Sequence, residues 1–573
     1  MLSLLVPLVV IGLIVWVVHT QRQSATTSGR VVPSLRRTLQ YTGLLASLVA
    51  VSIGLGNLLT AAFTGGAIAA DLTDQIALGL ALTLVAVPVW LLLWRSVLAN
   101  LHRDPSERAS SGWGLYLVAA TTASLIVALV SVVRLGTMLL QLEPFDPGPL
   151  AAALIALPVW GAHVWLERRP TLSPTSRLPA LGMLTGSTVG LVSLAIGVGN
   201  VVGYALGAIY GLLPGATMVT GDTAPLLVGL VVVVIAAPVW SWYWLHRGVS
   251  ATRDTLWHAY VLLVAVLGGL VAAVIATGMV LGTSLQWLIG EPSAARAVAH
   301  FVRVPEVVAA GLVGSAIWGY HRRVLDGAAA GLRTEPERIY NYLASGVGLV
   351  TGVAGATVAI AGVIEATVPG VLAAGTSWRD SLALALTLLV VGLPVWWAFW
   401  HRVQQLVTTG VEGERSSPSR RVYLFLLFGA TGLTAVVSLA VILFVSFRDV
   451  LDGSLAVTVL HELRIAIGLV LAAGGLSAYH WSVHREDREH AAAVPTLVHP
   501  RHVLLVGPDG RQLASAVAAD TGARVRSLHR LDAAQADIDA NRVAEAILAV
   551  HHDSVVVTIE EDGEIQVIPY EPA

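Results

Sequence analysis

A short aromatic helix end is written seven times into this chain, and that repetition limits the fold more than any other feature. The fullest copy, Leu393 to Arg402, reads LPVWWAFWHR. Variants stand at Ile14 to His19 (IVWVVH), Pro88 to Arg95 (PVWLLLWR), Pro158 to Arg168 (PVWGAHVWLER), Pro238 to Arg247 (PVWSWYWLHR), Ala316 to Arg322 (AIWGYHR) and His480 to Arg485 (HWSVHR). Their reference tryptophans, Trp16, Trp90, Trp160, Trp240, Trp318, Trp396 and Trp481, follow one another at steps of 70 to 85 residues. A period of that size marks a supersecondary unit copied in tandem, each copy burying its apolar face against the next.

Every copy closes an apolar run. Thirteen such runs, from residues 1–19 to 462–484, are long enough to cross roughly 30 Å of hydrocarbon at ~1.5 Å per residue. Seven end in the aromatic motif, and most of the six between them open with a cation or aromatic ring, as in Arg37 with Tyr41, Trp113 with Tyr116 and Trp257 with Tyr260. Composition agrees: 55% hydrophobic residues, 12% charged residues and a mean hydropathy of +0.75 exceed what a soluble core hides. The chain has no cysteine, which excludes disulfides and thiolate-ligated metals. A net charge of -2 excludes the electrostatic footprint of a nucleic-acid binder.

Charge sets the expected orientation. Loops from a closing run to the next opening run, with the tail after the last run, carry 22 of the 34 basic residues, all of them arginine; six lie in the opposite loops and six in the C-terminal segment. The positive-inside rule then puts the aromatic motifs at the cytoplasmic face of the cell membrane. The first run lacks a basic stretch before it and has Arg22, Arg30, Arg36 and Arg37 after it. It reads as a retained transmembrane helix with its N-terminus outside, not a cleaved signal.

A second level of repetition groups the runs. Ile53 to Asn57 (IGLGN) recurs as Ile196 to Asn200 (IGVGN), and His19, His163, His321 and His484 each follow a motif tryptophan by three residues. The expected fold is an all-α polytopic membrane protein of about thirteen helices, with a small C-terminal α/β cytoplasmic domain. Its segments are a leading helix and linker (1–37), three four-helix repeat units (38–178, 179–337 and 338–490) and an α/β module (498–571). In that module Asp562-Gly563 between apolar runs signals a hairpin.

Candidate sites follow from these patterns. Thirteen of the 17 tryptophans lie in closing motifs, where rings at headgroup depth act as interfacial anchors. His19, His163, His321 and His484 are weak candidates for haem or metal ligation, since no carboxylate accompanies them to orient the rings; no cofactor is expected. Asn57 and Asn200 are candidate polar membrane sites, more in keeping with interhelical hydrogen bonding than with ligand contact. Pro88, Pro158, Pro238 and Pro394 fall inside closing helices, a pointer to broken helices at a transport site. Two glycine ladders, Gly182, Gly186, Gly190 and Gly199, Gly203, Gly207, Gly211, predict close helix packing. Near the middle of the runs there is no Asp, Glu or Arg, which argues against an ion-coupled pump.

The arginine-then-tyrosine opening (Arg338 to Tyr342, Arg421 to Tyr423), the glycine-rich middle and the Pro-Val-Trp-Trp close of residues 394–397 resemble a family of bacterial multi-pass membrane repeats catalogued only as a domain of unknown function. The resemblance covers roughly residues 37–487 and implies an integral membrane protein without implying an activity. The expected function is a structural or interaction platform, not an enzyme, with the lipid bilayer as its surroundings and a regulatory tail that meets protein partners through the C-terminal module. Two alternatives stand beside it: a passive transporter or channel for a small uncharged solute, and a haem-binding membrane electron carrier.

Overall fold

In hydrocarbon an apolar run satisfies its backbone by coiling on itself, and the computed structural model forms long helices over these runs. It describes residues 31–64, 69–174, 179–216, 222–326, 335–368, 377–410, 414–415, 417–453, 457, 459–493, 500–507, 510–529, 539–550, 552–559 and 564–570. The expected leading helix, with Trp16 and His19, lies outside them. The chain divides into two compact bodies, one ending at Trp481 and one from Ser482 to Ala573.

The first body is helical: α1 (Val31–Thr64), α2 (Ala69–Arg103), the short α3 (Pro105–Arg108), α4 (Ser111–Leu139), α5 (Pro147–Arg168), α6 (Pro179–Tyr210) and α7 (Ala224–Trp240), which widens into a π-turned stretch Ser241–Gly248. Then come α8 (Thr255–Ala259), a second widened stretch Tyr260–Val266, α9 (Leu267–Leu288), the short α10 (Ala297–His300), α11 (Val304–Asp326), α12 (Glu335–Thr367), α13 (Trp378–Thr408), α14 (Pro418–Leu451) and α15 (Val459–Ala493). Eleven helical spans among the described residues are long and apolar enough to cross a membrane; α11 falls short of that measure. The thirteen expected runs therefore become eleven such spans, one shorter helix and one run outside the described residues. Asp and Ser residues start several helices. Asp104 caps α3 by accepting from Ser106 N, a bond that holds its carboxyl below the usual carboxylate range.

Consecutive long helices pair as antiparallel hairpins, α1 with α2, α4 with α5, α6 with α7, α9 with α11, α12 with α13 and α14 with α15. Glycine sets the approach. A methyl group built at Gly190 of α6 would stand 2.7 Å from Trp240 Cα, and one at Gly269 of α9 would stand 2.7 Å from Trp318 N. Gly348 of α12 meets the Trp396 backbone in the same way. Only a residue without Cβ lets the two backbones come so close. Each opening helix also touches the closing helix of the next hairpin, as where Gly56 of α1 faces Ile155 of α5 and Gly468 of α15 faces the Thr357 carbonyl of α12.

In the second body, strands β1 (His502–Gly507), β2 (Arg524–His529), β3 (Ser554–Ile559) and β4 (Ile565–Pro569) form one sheet in the order β2-β1-β3-β4. β1 runs parallel to β2 and β3, while β4 is antiparallel to β3. Helices α16 (Gly510–Thr521) and α17 (Ala540–Leu548) supply the crossovers. Val543 and Ile547, one turn apart on α17, bury against Val503, Leu505, Val555 and Val557. The Asp562-Gly563 turn lies outside the described residues.

Candidate functional site

Three times over, four consecutive long helices each send one side chain into a buried cluster. In the second set these are Ser187 of α6, Trp244 after α7, Tyr260 after α8 and His321 of α11. In the third they are Ser345, Trp400, Tyr423 and His480, and in the first Leu44, Trp94, Tyr116 and His163. The rings touch: Trp244 lies 5.2 Å from Tyr260 and 5.2 Å from His321 between centroids, and Trp400 lies 5.5 Å from Tyr423 and 5.6 Å from His480. In the first set the contacts run Trp94 to Trp113 to Tyr116 to His163.

The imidazoles are held alike. Nδ1 of His163, His321 and His480 lies 2.7, 2.9 and 3.1 Å from the carbonyl one turn back, at Val159, Ile317 and Leu476. A carbonyl accepts only, so Nδ1 carries the proton and Nε2 is left as an acceptor. In the first set Tyr116 Oη donates to His163 Nε2 at 2.9 Å. In the second and third sets Nε2 of His321 and His480 is buried without a hydrogen-bond partner among the described residues. There a serine replaces Leu44: Tyr423 Oη bonds Ser345 Oγ at 2.8 Å, and Tyr260 Oη lies near Ser187 but outside ordinary bonding distance.

Tryptophan N–H groups staple one hairpin to the next. Trp160 Nε1 donates to Tyr243 Oη at 2.9 Å, Trp244 Nε1 to Tyr320 Oη at 3.2 Å, and Trp400 Nε1 to Tyr479 Oη at 2.8 Å. A buried acid latches the first and third sets: Glu107 takes bonds from Arg36 and Tyr41 and an ion pair from Arg37, while Glu414 pairs with Arg338 at 3.0 Å. Both acids follow the second helix of their set, and both are 1% exposed.

The predicted site residues divide accordingly. Of the expected anchors, Trp318 and Trp481 are exposed, but Trp90, Trp160, Trp240 and Trp396 are half-buried. The indole N–H groups of Trp90, Trp240 and Trp396 are enclosed with no acceptor among the described residues. His163 and His321 sit in separate clusters, and the imidazole of the third cluster is His480; His484 is half-exposed four residues further on. Among the described residues no three His, Cys, Asp or Glu side chains gather as a metal site. Helices α2, α5, α7 and α13 run through Pro88, Pro158, Pro238 and Pro394 unbroken. The sequence pattern marks Tyr116, Tyr260 and Tyr423 as helix openings and holds Trp94, Trp244 and Trp400 in the closing motif without joining them into a site, and it does not mark Ser187 or Ser345. Trp94, Trp244 and Trp400 each follow a motif tryptophan by four residues, a signal that was there to read.

A cavity of about 1120 Å³ opens in the second set, lined by α6, α7, α9 and α11, with Asn200, Tyr204, Asp222 and Glu306 among its walls. Asn57 lies in the first set and does not line it. The glycine ladders of α6 part company here. A methyl built at Gly186 or Gly190 would strike Tyr243 or Trp240, whereas Gly199 has nothing within 4 Å and lines the cavity with Gly203 and Gly207.

The three clusters mark a threefold repeat, and the family model for a domain of unknown function, DUF5671, matches residues 37–144, 183–320 and 338–475, one segment for each cluster. The chain belongs to this family. No curated protein and no solved structure matches the chain. Tyr116, Tyr260 and Tyr423 all fall inside the matched segments of the DUF5671 repeat, as do Trp94, Trp244 and Trp400, while His163, His321 and His480 lie outside them, on the C-terminal side of each.

Proposed function

We propose that this membrane protein is a rigid scaffold within the bilayer that presents its C-terminal α/β module to protein partners in the cytoplasm. The observation that carries the reading is the row of Trp-to-Tyr hydrogen bonds, Trp160 to Tyr243, Trp244 to Tyr320 and Trp400 to Tyr479, which ties successive hairpins together. Sliding one closing helix past the next breaks such a bond and strands an indole N–H, and the glycine contacts beneath resist the same motion because packed backbones have few alternative arrangements. An alternating-access transporter needs parts that move; this construction opposes movement. The arginine-rich loops, with 22 of the 34 basic residues, support a cytoplasmic location for the aromatic motifs and for the module.

A chain without cysteine suits a direct test. Single cysteines at Ser106 and Ser173 on one side, and at Gln141 and Gly290 on the other, are challenged with a membrane-impermeant maleimide. The first pair is expected to react only after permeabilisation and the second in intact cells. For the scaffold itself, photo-crosslinking amino acids in β2 and β4 should give a defined crosslinked species in cells. Proteoliposomes of the full chain that pass glycerol or urea faster than protein-free vesicles would refute the scaffold reading in favour of a passive channel.

A further inference from the structure

The cavity in the second repeat has a direction. Antiparallel pairing brings together the end of α6, the start of α7 and the start of α11, so Tyr204, Asp222 and Glu306 share one mouth; a methyl built at Gly203 would stand 3.6 Å from Glu306 Cα. From there the cavity follows α6 inward from Ala208 to Leu191, a distance of about 25 Å at ~1.5 Å per residue. Its inner walls are Val264, Ala272 and Ile317, with no charged group. The lining holds two carboxylates and no arginine or histidine, and no ion pair to Glu306 or Asp222 is present among the described residues. The volume of about 1120 Å³ exceeds the ~300–1,000 Å³ of pockets for drug-sized molecules.

The first repeat shows that this is not a general slackness of the fold. By the match of Ile53–Asn57 to Ile196–Asn200, the second repeat has Gly199, Gly203 and Gly207 where the first has Gly56, Thr60 and Thr64. Counted back from the motif tryptophan, Val313 stands where the first repeat has Ile155, which reaches to 3.8 Å from a methyl built at Gly56. Relative to the first repeat, two threonines have become glycine on one wall and an isoleucine has shortened to valine on the other, beneath an acidic mouth.

We infer that the second repeat binds a long-chain amphiphile with a cationic head, the ammonium or quaternary ammonium group at Glu306 and Asp222 and the chain along the Gly199–Gly207 face. A carboxylate pair at the mouth favours a cation and disfavours an anionic head, and an apolar trench suits a saturated or isoprenoid chain. The inference is independent of the scaffold reading: a fixed scaffold and a moving one would bind the amphiphile alike.

The test uses the full chain in phosphatidylcholine nanodiscs with a hexadecyl chain that carries a photoreactive diazirine and a trimethylammonium head, beside twins with a sulfate or a hydroxyl head. The cationic probe should crosslink saturably, at one probe per chain, to peptides of α6 and α11. Glu306→Gln should lower the yield at sub-saturating probe about fivefold, the factor that one solvent-screened charge contact supplies. Glu306→Lys should pass the preference to the sulfate probe. Gly199→Leu, which projects into open space, should abolish labelling while leaving thermal unfolding of the chain in place. Equal yields from all three heads, unsaturable labelling shared with α1, α12 and α14, or labelling that survives Gly199→Leu would each overturn the assignment.

Discussion

Replacing tyrosine by phenylalanine at Tyr116, Tyr260 and Tyr423 removes the same atom from three equivalent places, and the structure assigns it three different costs. At Tyr116 the hydroxyl is the donor to His163 Nε2 at 2.9 Å, and His163 is 5% exposed. Without it, a buried acceptor is left with no donor among the described residues. Interhelical polar contacts in membranes average about 0.6 kcal/mol and reach about 1.7; a stranded buried acceptor belongs at the upper end, so about 1–2 kcal/mol is expected. At Tyr423 the hydroxyl bonds Ser345 at 2.8 Å, and its loss frees a serine that can turn to a backbone carbonyl, for about 0.5–1 kcal/mol. At Tyr260 the hydroxyl is enclosed without a bond, and its removal should cost about 0 kcal/mol or stabilise slightly, since deleting an unsatisfied buried polar atom can favour folding. The assay is reversible unfolding in mixed micelles with rising SDS, followed by tryptophan emission, which reports on the ring against which each tyrosine packs. The order Tyr116 first, Tyr423 second and Tyr260 last is the prediction. A Tyr260→Phe protein destabilised as much as Tyr116→Phe would refute the assignment of these hydrogen bonds.

Further outcomes follow from the packing and the latches. Gly348→Ala, which drives a methyl into the Trp396 backbone, should destabilise by about 1–3 kcal/mol in the same titration, whereas Gly475→Ala, with nothing within 4 Å of the new methyl, should be neutral or stabilise by up to ~1 kcal/mol through helix propensity. Glu414→Gln should cost about 1.5–3 kcal/mol by weakening the bond to Arg338 at a buried acid; Glu335→Gln, at the exposed end of the same arginine, should cost under ~1 kcal/mol. Trp400→Phe should cost about 1 kcal/mol for the lost bond to Tyr479, and Trp397→Phe, on an exposed ring, under ~0.5 kcal/mol by the same measurement.

Much of this fold was legible because the features that built it are periodic. The apolar runs and the α/β composition of the module each depend on residues close in sequence, and each led to the observed elements. What escaped depends on which helix faces which. His484 takes the fourth histidine place in the sequence pattern because it follows Trp481 by three residues. The stronger likeness is Tyr479-His480 to Tyr320-His321, and it puts His480 in the cluster; a shift of four residues keeps a side chain on the same helix face, so periodicity cannot separate the two. The Glu107 and Glu414 latches lie between the long helices, Glu107 on a single helical turn, where no period guides the eye. The glycine ladder of α6 looked like one packing face, yet α7 covers Gly186 and Gly190 while Gly199, Gly203 and Gly207 face an opening. The tryptophans looked like anchors because motif and interface both place aromatic rings near helix ends. Of these, Trp160 gives its N–H to Tyr243 on the next hairpin, and the N–H groups of Trp90, Trp240 and Trp396 are enclosed, which their place near a helix end does not reveal.

The departures from the repeat collect in its second copy. The first and third copies open on an arginine that reaches a buried acid, Arg37 to Glu107 and Arg338 to Glu414. The second begins α6 with Pro179-Ala180-Leu181-Gly182 and has no such latch among its described residues. Among the described residues it alone carries widened π turns, Ser241–Gly248 and Tyr260–Val266, and Val264 of the latter lines the cavity. A π turn adds a residue to a helix, rotates the turns beyond it, and recurs at functional positions because it weakens the helix that holds it. The latches on either side act through separate helices, so their stabilisation does not depend on the middle copy. A tandem array tolerates this arrangement well: contacts are made between neighbours, and a copy flanked by two stable ones can lose side chains that an isolated bundle would need. The glycines in place of Thr60 and Thr64, and the valine in place of Ile155, are therefore a change the array can bear in its second copy at the least cost in folding.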